Sequence, residues 1–230
     1  MDRAAPSHPA AAEPSESDQE LRRFFQRNLL AWGRTNRRMF PWREERDAFR
    51  VLVAEILLQR SRAKTVAAVY EELFQRWPSA ARLATAPITE IENVVRPLGL
   101  IRRARRIKIL AHAVMDRGGV PDNSIELERL PGVGRYAARA ALAATLGRAE
   151  PTVDTVSARV FRRFFGLSGD ADASVDAGLW RIVEEVVPRH RASELNWSVL
   201  DLAASVCMPK VPQCSRCPLH ARCRWASAHG

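Results

Sequence analysis

The sequence predicts an almost entirely α-helical fold. Apolar residues recur at three- and four-residue spacing from Asp18 onward, as at Leu21, Phe24, Phe25 and Leu29, and that spacing places them on one face of a helix. The two-residue alternation of a half-buried strand is almost absent. Prolines and glycines divide the chain into helix-length segments. A chain of 230 residues is long enough for one or two domains with buried cores.

The prolines and glycines set the expected helix boundaries. No internal repeat or sustained heptad pattern is present, which excludes solenoids and coiled coils. We predict helices over roughly residues 18–34, 47–60, 63–76, 79–85, 88–95, 101–117, 124–129, 135–146, 155–165, 175–186 and 193–206.

The composition is that of a folded, basic protein. Hydrophobic residues make up 47% and charged residues 27% of the chain, which excludes disorder throughout. Lys and Arg number 36 against 26 Asp and Glu, a formal net charge of +10 at pH 7. This excess of positive charge favours a polyanionic partner such as nucleic acid.

Nothing in the sequence predicts export or membrane insertion. No apolar run approaches the ~20 residues that cross a bilayer. Residues 1–17 contain three prolines and no apolar central segment, so we interpret them as a disordered tail and not as a secretion signal. We therefore expect an intracellular, cytoplasmic protein that is associated with the nucleoid, does not bind membranes and is a monomer.

All four cysteines lie near the C-terminus, at Cys207, Cys214, Cys217 and Cys223, with six, two and five residues between them. Four thiolates so close in sequence can surround one metal centre. Zinc and a [4Fe–4S] cluster both use four cysteines, so the ligand number leaves both open. Free buried cysteines are the alternative. A centre with four protein ligands is expected to be structural and to hold this segment in a compact loop.

A turn with two glycines, Leu130 to Gly134 (LPGVG), lies between two predicted helices. The glycines allow a tight hairpin, and the free amides at the start of the next helix suit a DNA phosphate. The turn is not a dinucleotide fingerprint, because its glycine spacing does not fit GxGxxG and no strand precedes it. An ordinary turn between helices is the alternative.

Glu55 is an acidic residue on an otherwise apolar helical stripe, which includes Val51 and Leu58. Burial on that stripe is expected to raise the pKa of its carboxyl group, because a low dielectric disfavours the charged form. A carboxyl that keeps its proton near neutral pH can serve as a general acid. Pairing with Arg50 or Arg62 near the surface is the alternative.

Asp154 precedes a predicted helix whose Val156, Val160 and Phe164 form one apolar face. Its simplest role is an N-cap, whose side chain accepts a backbone N–H of the first turn. A carboxylate held in this way beside a cleft can also stabilise developing positive charge. Capping and catalysis are therefore compatible.

Basic residues are concentrated in two predicted helices. Solvated helix faces explain most such groups, but in a chain of this charge they are also candidates for phosphate contacts. The first group is Arg102, Arg103, Arg105, Arg106 and Lys108, and the second is Arg159, Arg162 and Arg163.

Three motifs in order resemble the helix-hairpin-helix (HhH-GPD) DNA glycosylase superfamily, in the branch that includes endonuclease III, adenine DNA glycosylase and the mismatch-specific thymine DNA glycosylases. They are LPGVGRYAARAAL, the VDT of residues 153–155 and the cysteine loop. The likeness covers roughly residues 20–225.

The resemblance implies a two-lobed fold that binds double-stranded DNA with a mismatched or damaged base in the cleft between the lobes. After the tail, we expect an N-terminal helix at 18–40 that packs on the C-terminal lobe and a six-helix lobe at 41–150. A second helical lobe at 151–206 and an iron–sulfur loop at 207–225 complete the expected organisation. The resemblance also implies that the cysteines bind [4Fe–4S] and not zinc.

The resemblance implies roles for individual residues. Asp154 matches the family's catalytic aspartate, and Glu55 matches a glutamate in the base pocket of adenine and mismatch thymine glycosylases. Tyr136 is the third residue expected at the catalytic site, where it would line the pocket, and it stands where endonuclease III has its Schiff-base lysine. A phenol cannot replace that amine, which predicts weak or absent AP lyase activity. Gln59 is expected to fill the gap that the everted base leaves in the duplex. Further DNA contacts are expected from Arg60, Leu130, Gly132, Val133, Gly134 and Arg135.

Tyr136 and the short segment after Cys223 favour the mismatch thymine branch. Adenine enzymes usually have a serine at the tyrosine position and commonly continue into a C-terminal domain. Val156 departs from both branches, which tend to have asparagine there. We expect a monofunctional glycosylase of base excision repair that removes thymine or uracil opposite guanine. The alternatives are an adenine glycosylase acting on A:G or A:8-oxoguanine and a non-catalytic binder of distorted DNA.

Overall fold

The computed structural model describes residues 15–99, 101–169, 172–188 and 190–229, and no β-strand occurs in these ranges. The predicted all-α class is confirmed. The helices are α1 (Glu16–Asn36), α2 (Ala48–Leu58), α3 (Ala63–Arg76), α4 (Ala80–Thr85), α5 (Ile88–Val95), α6 (Arg102–Asp116), α7 (Ser124–Glu128), α8 (Arg135–Leu146), α9 (Thr155–Phe165), α10 (Ala177–Val186), α11 (Ala192–Ser205) and α12 (Arg224–His229).

The observed boundaries differ from the predicted ones mainly at the two ends of the chain. Helix α1 begins two residues early because Ser15 is its N-cap and accepts the backbone N–H of Asp18 at 3.2 Å. Residues 15–17 therefore belong to the cap and first turn and not to the expected tail, whose residues 1–14 lie outside the described part of the chain. Helix α12 was not predicted, because six residues are too few to show a helical period.

The first core cluster is built from helices α2 to α8. Its buried side chains come from residues 42–144, including Leu52, Leu73, Ile107 and Leu142. Among the described helices, none is long and apolar enough to cross a membrane.

The second core cluster joins the N-terminal helix to the C-terminal half of the chain. Phe25 of α1 packs against Phe161, Phe164 and Phe165 of α9, with ring centroids 5.3, 5.0 and 5.5 Å away. Leu29 of α1 also belongs to this cluster, and its remaining buried side chains come from residues 153–219. From Ser15 onward, the chain therefore contributes first to the second cluster, then builds the first cluster, and finally returns to the second.

Helices α1 and α11 approach unusually closely at Gly33. A Cβ atom at this position would lie 2.1 Å from Oγ of Ser198. Any larger residue at this position would force the Ser198 side chain to move.

A buried ion pair connects the segment that enters the first cluster to a helix of the second. Arg43 follows Pro41 in a 3-10 turn and donates to both carboxylate oxygens of Asp201 on α11, at 2.7 and 2.9 Å. Arg38 donates to the same carboxylate from its side chain at 2.6 Å and from its backbone at 3.1 Å. Burial raises the pKa of Asp201, but hydrogen bonds and the positive charge of Arg43, together with Arg38, outweigh burial and lower it overall.

Replacing Asp201 with asparagine is expected to destabilise the protein by about 3 kcal/mol, because Arg43 stays buried without its counter-charge. The difference should be present at neutral pH. It should shrink as the pH falls through the lowered pKa, since wild-type Asp201 is then protonated as well. Chemical unfolding followed by circular dichroism measures both effects. Asp116→Asn, an exposed change on α6, is the control, and equal losses in the two variants would contradict the prediction.

Candidate active site

An open cleft with about 1570 Å³ of empty space lies between the two clusters. Helices α2 and α8 contribute Glu55 and Tyr136 from one side, and the start of α9 contributes Asp154 from the other. The structure therefore brings together the three residues that the sequence analysis selected as catalytic. Gln59, Arg60 and Gly134 line the same cleft.

Asp154 is fixed at the cleft by the helix that it begins. It is the N-cap of α9, and its Oδ1 accepts the backbone N–H and the hydroxyl of Ser157, each at 2.7 Å. The backbone N–H of Asp154 donates in return to Oγ of Ser157 at 2.9 Å. Within the described residues Oδ2 makes no hydrogen bond, so this oxygen is available to a ligand in the cleft.

Glu55 lies on α2 between buried apolar residues and is partly exposed to the cleft. Burial, with a further contribution from the negative charge of Asp154, raises its pKa to about 8. Arg50, one of the two arginines considered as its partner, instead contacts Glu45 at 3.3 Å. Within the described residues Glu55 forms no ion pair. The carboxyl group is therefore mainly protonated near neutral pH.

Tyr136 is the second residue of α8 and lies between the cleft and a smaller cavity beneath it, which Glu55 also lines. Burial raises the pKa of Tyr136 well above its ordinary value, and the charges of Glu55 and Asp154 act in the same direction. Arg43 opposes this shift. The side chain is thus a neutral phenol at physiological pH.

The hairpin contributes backbone and not side chains to the cleft rim. Leu130 and Val133 are 3% and 6% exposed and belong to the first core cluster. Gly132 has a φ of +80°, a conformation that favours glycine. Gly134 is the N-cap of α8 and provides no side-chain hydrogen bond. No side chain of the N-cap occupies the first amides of α8, which among the described residues leaves them available to an anion.

Arg135 is engaged with the second cluster. Its guanidinium carbon lies 3.7 Å from the ring centroid of Trp180 on α10, and Nη2 lies 3.5 Å from Oε1 of Glu184. Arg139, one turn along α8, approaches the same carboxylate oxygen at 3.4 Å. A DNA phosphate near Arg135 would have to compete with Glu184, which the sequence alone did not indicate.

The turn after α2 carries Gln59 and Arg60, both exposed at the cleft. Arg60 has a φ of 56°, a left-handed conformation that is uncommon for a residue other than glycine. The buried guanidinium of Arg103 holds the turn by donating to the backbone oxygen of Gln59 and to Oγ of Ser61.

Sequence reasoning missed an aromatic wall of the cleft. Phe40 and Trp42 both line it, and their rings are stacked with centroids 4.9 Å apart and planes 6° apart. Two aromatic residues flanking Pro41 were the signal that could have identified this wall.

The four cysteines line one cavity of about 300 Å³ beside α9 and α12. None of them forms a disulfide. In the described ranges, no three Cys, His or acidic side chains are grouped closely enough to hold a single metal ion. Arg163 of α9 donates to Sγ of Cys207 at 3.4 Å, and Arg159 donates to its backbone oxygen at 2.9 Å.

Comparison with known proteins agrees with this geometry. Residues 53–185 match the HhH-GPD superfamily, described as base excision DNA repair proteins. A thymine/uracil-DNA glycosylase of Pyrobaculum aerophilum is 39% identical over 202 residues, which cover 85% of this chain and 88% of that protein. Human adenine DNA glycosylase is 34% identical over 212 residues, covering 87% of this chain but 39% of that protein.

Two solved structures of DNA repair enzymes are also similar to this chain. A thermostable thymine-DNA glycosylase matches with a TM-score of 0.87 and 32% identity over 93% of this chain and 100% of that one. A trapped endonuclease III–DNA covalent intermediate matches with a TM-score of 0.78 and 26% identity, over 92% of this chain and 97% of that one. The chain belongs to the HhH-GPD superfamily of base excision DNA repair proteins.

Replacing Glu184 with glutamine is expected to tighten binding to duplex DNA roughly threefold, because it removes a carboxylate that competes with phosphate for Arg135. Equilibrium titration of a fluorescent duplex at low salt measures the change. Glu185→Gln is the matched control, since Glu185 lies on the same helix and pairs with Arg22 at 2.6 Å. Equal affinities for the two variants would show that Glu184 does not compete with DNA.

Proposed function

We propose that this protein is a monofunctional DNA glycosylase that hydrolyses the N-glycosidic bond of a mispaired base, thymine or uracil opposite guanine. The observation that carries this function is the pair of acids in one cleft. Glu55 has a pKa of about 8, and Asp154 keeps one carboxylate oxygen free of hydrogen bonds. Its partner is duplex DNA, on which we expect it to act as a nucleoid-associated monomer.

The reaction requires the base to leave the duplex, which costs a few kcal/mol and least at a weak mispair. The everted base enters the cleft beside the stacked rings of Phe40 and Trp42. The hairpin amides hold the backbone of the DNA without regard to sequence.

The two acids have different roles in the cleavage of the glycosidic bond. The bond between the base and C1′ of the sugar breaks, and its electron pair leaves with the base. Protonated Glu55 donates a proton or a hydrogen bond to the departing base. The Asp154 carboxylate stabilises the positive charge on the sugar, and it directs water to C1′ and accepts the proton that water loses.

Thymine or uracil is favoured over adenine by the strength of the similarity. The thymine/uracil-DNA glycosylase of Pyrobaculum aerophilum is 39% identical to this chain, and the structure of a thermostable thymine-DNA glycosylase matches it with a TM-score of 0.87. Adenine DNA glycosylase remains the second candidate because the human enzyme is 34% identical over the shared region. Tyr136 supports a monofunctional enzyme, since its neutral phenol cannot form a Schiff base.

A [4Fe–4S] cluster is the proposed occupant of the cysteine cavity. The four cysteines line one small cavity, and the similarity to endonuclease III favours an iron–sulfur cluster over zinc. Cys207, Cys214, Cys217 and Cys223 would be its ligands. When bound, the cluster would cross-link this segment as a structural element.

Asp154→Asn is expected to lower base release by about a thousandfold while DNA affinity stays within a few-fold. Asparagine caps a helix as well as aspartate does, so the variant keeps α9 and loses the charge. Duplexes with G:T, G:U, A:G and A:8-oxoguanine, treated with alkali after incubation, identify the substrate. Borohydride in a parallel reaction tests for a Schiff base.

Three results of this experiment would contradict the proposed function. Base release by Asp154→Asn within a few-fold of wild type would remove Asp154 from the mechanism. Abundant borohydride-trapped adduct would show a lyase. Tight binding without turnover on every duplex would indicate a non-catalytic DNA-binding protein.

The single-turnover rate of base release is expected to fall as the pH rises through about 8, because Glu55 then loses its proton. Glu55→Gln should be slower by about a hundredfold and should lack this step in the pH profile. Glu128→Gln, an exposed change on α7, is the control. A step near pH 8 that persists in Glu55→Gln would assign the titration to another group.

Purified protein is expected to show broad visible absorbance and to contain iron and acid-labile sulfide in equal amounts, about four of each per chain. Metal analysis and sulfide assay of the protein as isolated measure these contents. A colourless protein with about one zinc per chain would contradict the iron–sulfur assignment.

A further inference from the structure

A second cavity, which we name the arginine pocket, opens beside the cleft. It has about 730 Å³ of empty space, and Gln59 and Arg60 line both it and the cleft. The pocket is lined by Gln59, Arg60, Arg102, Arg103 and Arg106. No carboxylate is among these residues.

The structure separates the basic residues of α6, which are alike in sequence, into different roles. Arg103 is 3% exposed and holds the turn after α2. Lys108 donates to the backbone oxygen of Ala86 at 2.6 Å. Arg105 lies outside the pocket, with Nε 3.9 Å from the carboxylate of Glu92.

The guanidinium groups of Arg60, Arg102 and Arg106 have no negatively charged partner among the described residues. Within the described residues, the side chains of Arg60 and Arg102 form no hydrogen bond or ion pair. Arg106 donates to the side-chain oxygen of Gln59 at 3.2 Å, which is a neutral partner. Three exposed cations around one cavity repel each other, and an anion between them would relieve that repulsion.

The arginine pocket adjoins the hairpin. Cβ of Arg106 lies 4.0 Å from the position that a Cβ atom on Gly132 would occupy. The hairpin and the arginine pocket are therefore neighbours beside α6. Every polar group that the arginine side chains of the pocket offer is a donor, so the pocket suits a ligand that has only acceptors.

We propose that the arginine pocket binds a second DNA phosphate, next to the one held by the hairpin amides. Guanidinium groups donate in a planar fork that matches two phosphate oxygens. Two adjacent phosphate sites fix the register of the duplex at the cleft without any contact to a base. This inference rests on the proposed function only in taking duplex DNA as the ligand.

Binding measurements on Arg60→Ala, Arg102→Ala and Arg106→Ala test the site, with Arg105→Ala as a control that removes the same charge from the same helix. Each pocket variant is expected to bind undamaged and G:T duplexes more weakly by the same factor, roughly fivefold. The slope of log affinity against log salt should fall by about 1. Arg105→Ala should change both quantities less.

Neutral methylphosphonate linkages, placed one at a time in either strand, locate the phosphate. We expect wild-type protein to bind more weakly when one particular linkage is neutral. The same neutral linkage should hardly weaken binding by Arg102→Ala, because this variant has already lost the contact with that phosphate. Additive losses at every linkage would place Arg102 away from the DNA backbone.

Two other results would overturn the phosphate site. Pocket variants with the affinity and salt slope of Arg105→Ala would show that the pocket does not bind DNA. A pocket variant could instead lose affinity for duplexes with guanine but not for duplexes in which inosine or 7-deazaguanine replaces that guanine. This result would show that the pocket contacts a base. These binding measurements need no turnover, so a failed phosphate site would leave the glycosylase test with Asp154→Asn unaffected. Equally, a failed glycosylase test would leave the binding measurements valid.

Discussion

The capping of α9 by Asp154 is the constraint on which the site depends. Through one oxygen the carboxylate begins the helix, and its other oxygen remains free at the cleft. The same helix packs against Phe25 of α1 and contacts the backbone and sulfur of Cys207 through two arginines. The N-terminal helix, the cysteine segment and the carboxylate therefore share one rigid support.

The cleft contains acidic residues and its rim contains basic residues, so the two regions have different roles. The chain has a net charge of +10, yet two acids lie together in the cleft. Burial and the charge of Asp154 keep Glu55 protonated, so the pair holds about one negative charge and one transferable proton near neutral pH. Basic groups and free amides surround this cleft, where a phosphate backbone can lie while one base enters.

Local sequence patterns were sufficient for most of the helices. Apolar spacing, Asp47 and Asn123 as caps, and proline and glycine breaks all act within a few residues, so α2 to α11 lie close to their predicted ranges. Local patterns failed to predict α12, because a helix of six residues is too short to show a helical period. They also failed to distinguish the buried Arg103 from the exposed Arg102 and Arg105, because the burial of Arg103 depends on the turn after α2, more than forty residues away.

The sequence by itself determined the helical class, the order of the motifs, the four cysteines and the identity of the two acids. Only the tertiary structure decided that Arg135 stacks on Trp180, that Leu130 and Val133 serve the core, and that Arg103 supports the turn beside the cleft. It also decided between the two expectations for Glu55, a raised pKa and pairing with an arginine, in favour of the raised pKa. The physical reason is that burial and charge proximity depend on neighbours brought together from distant parts of the chain, whereas helix formation depends on neighbours in sequence.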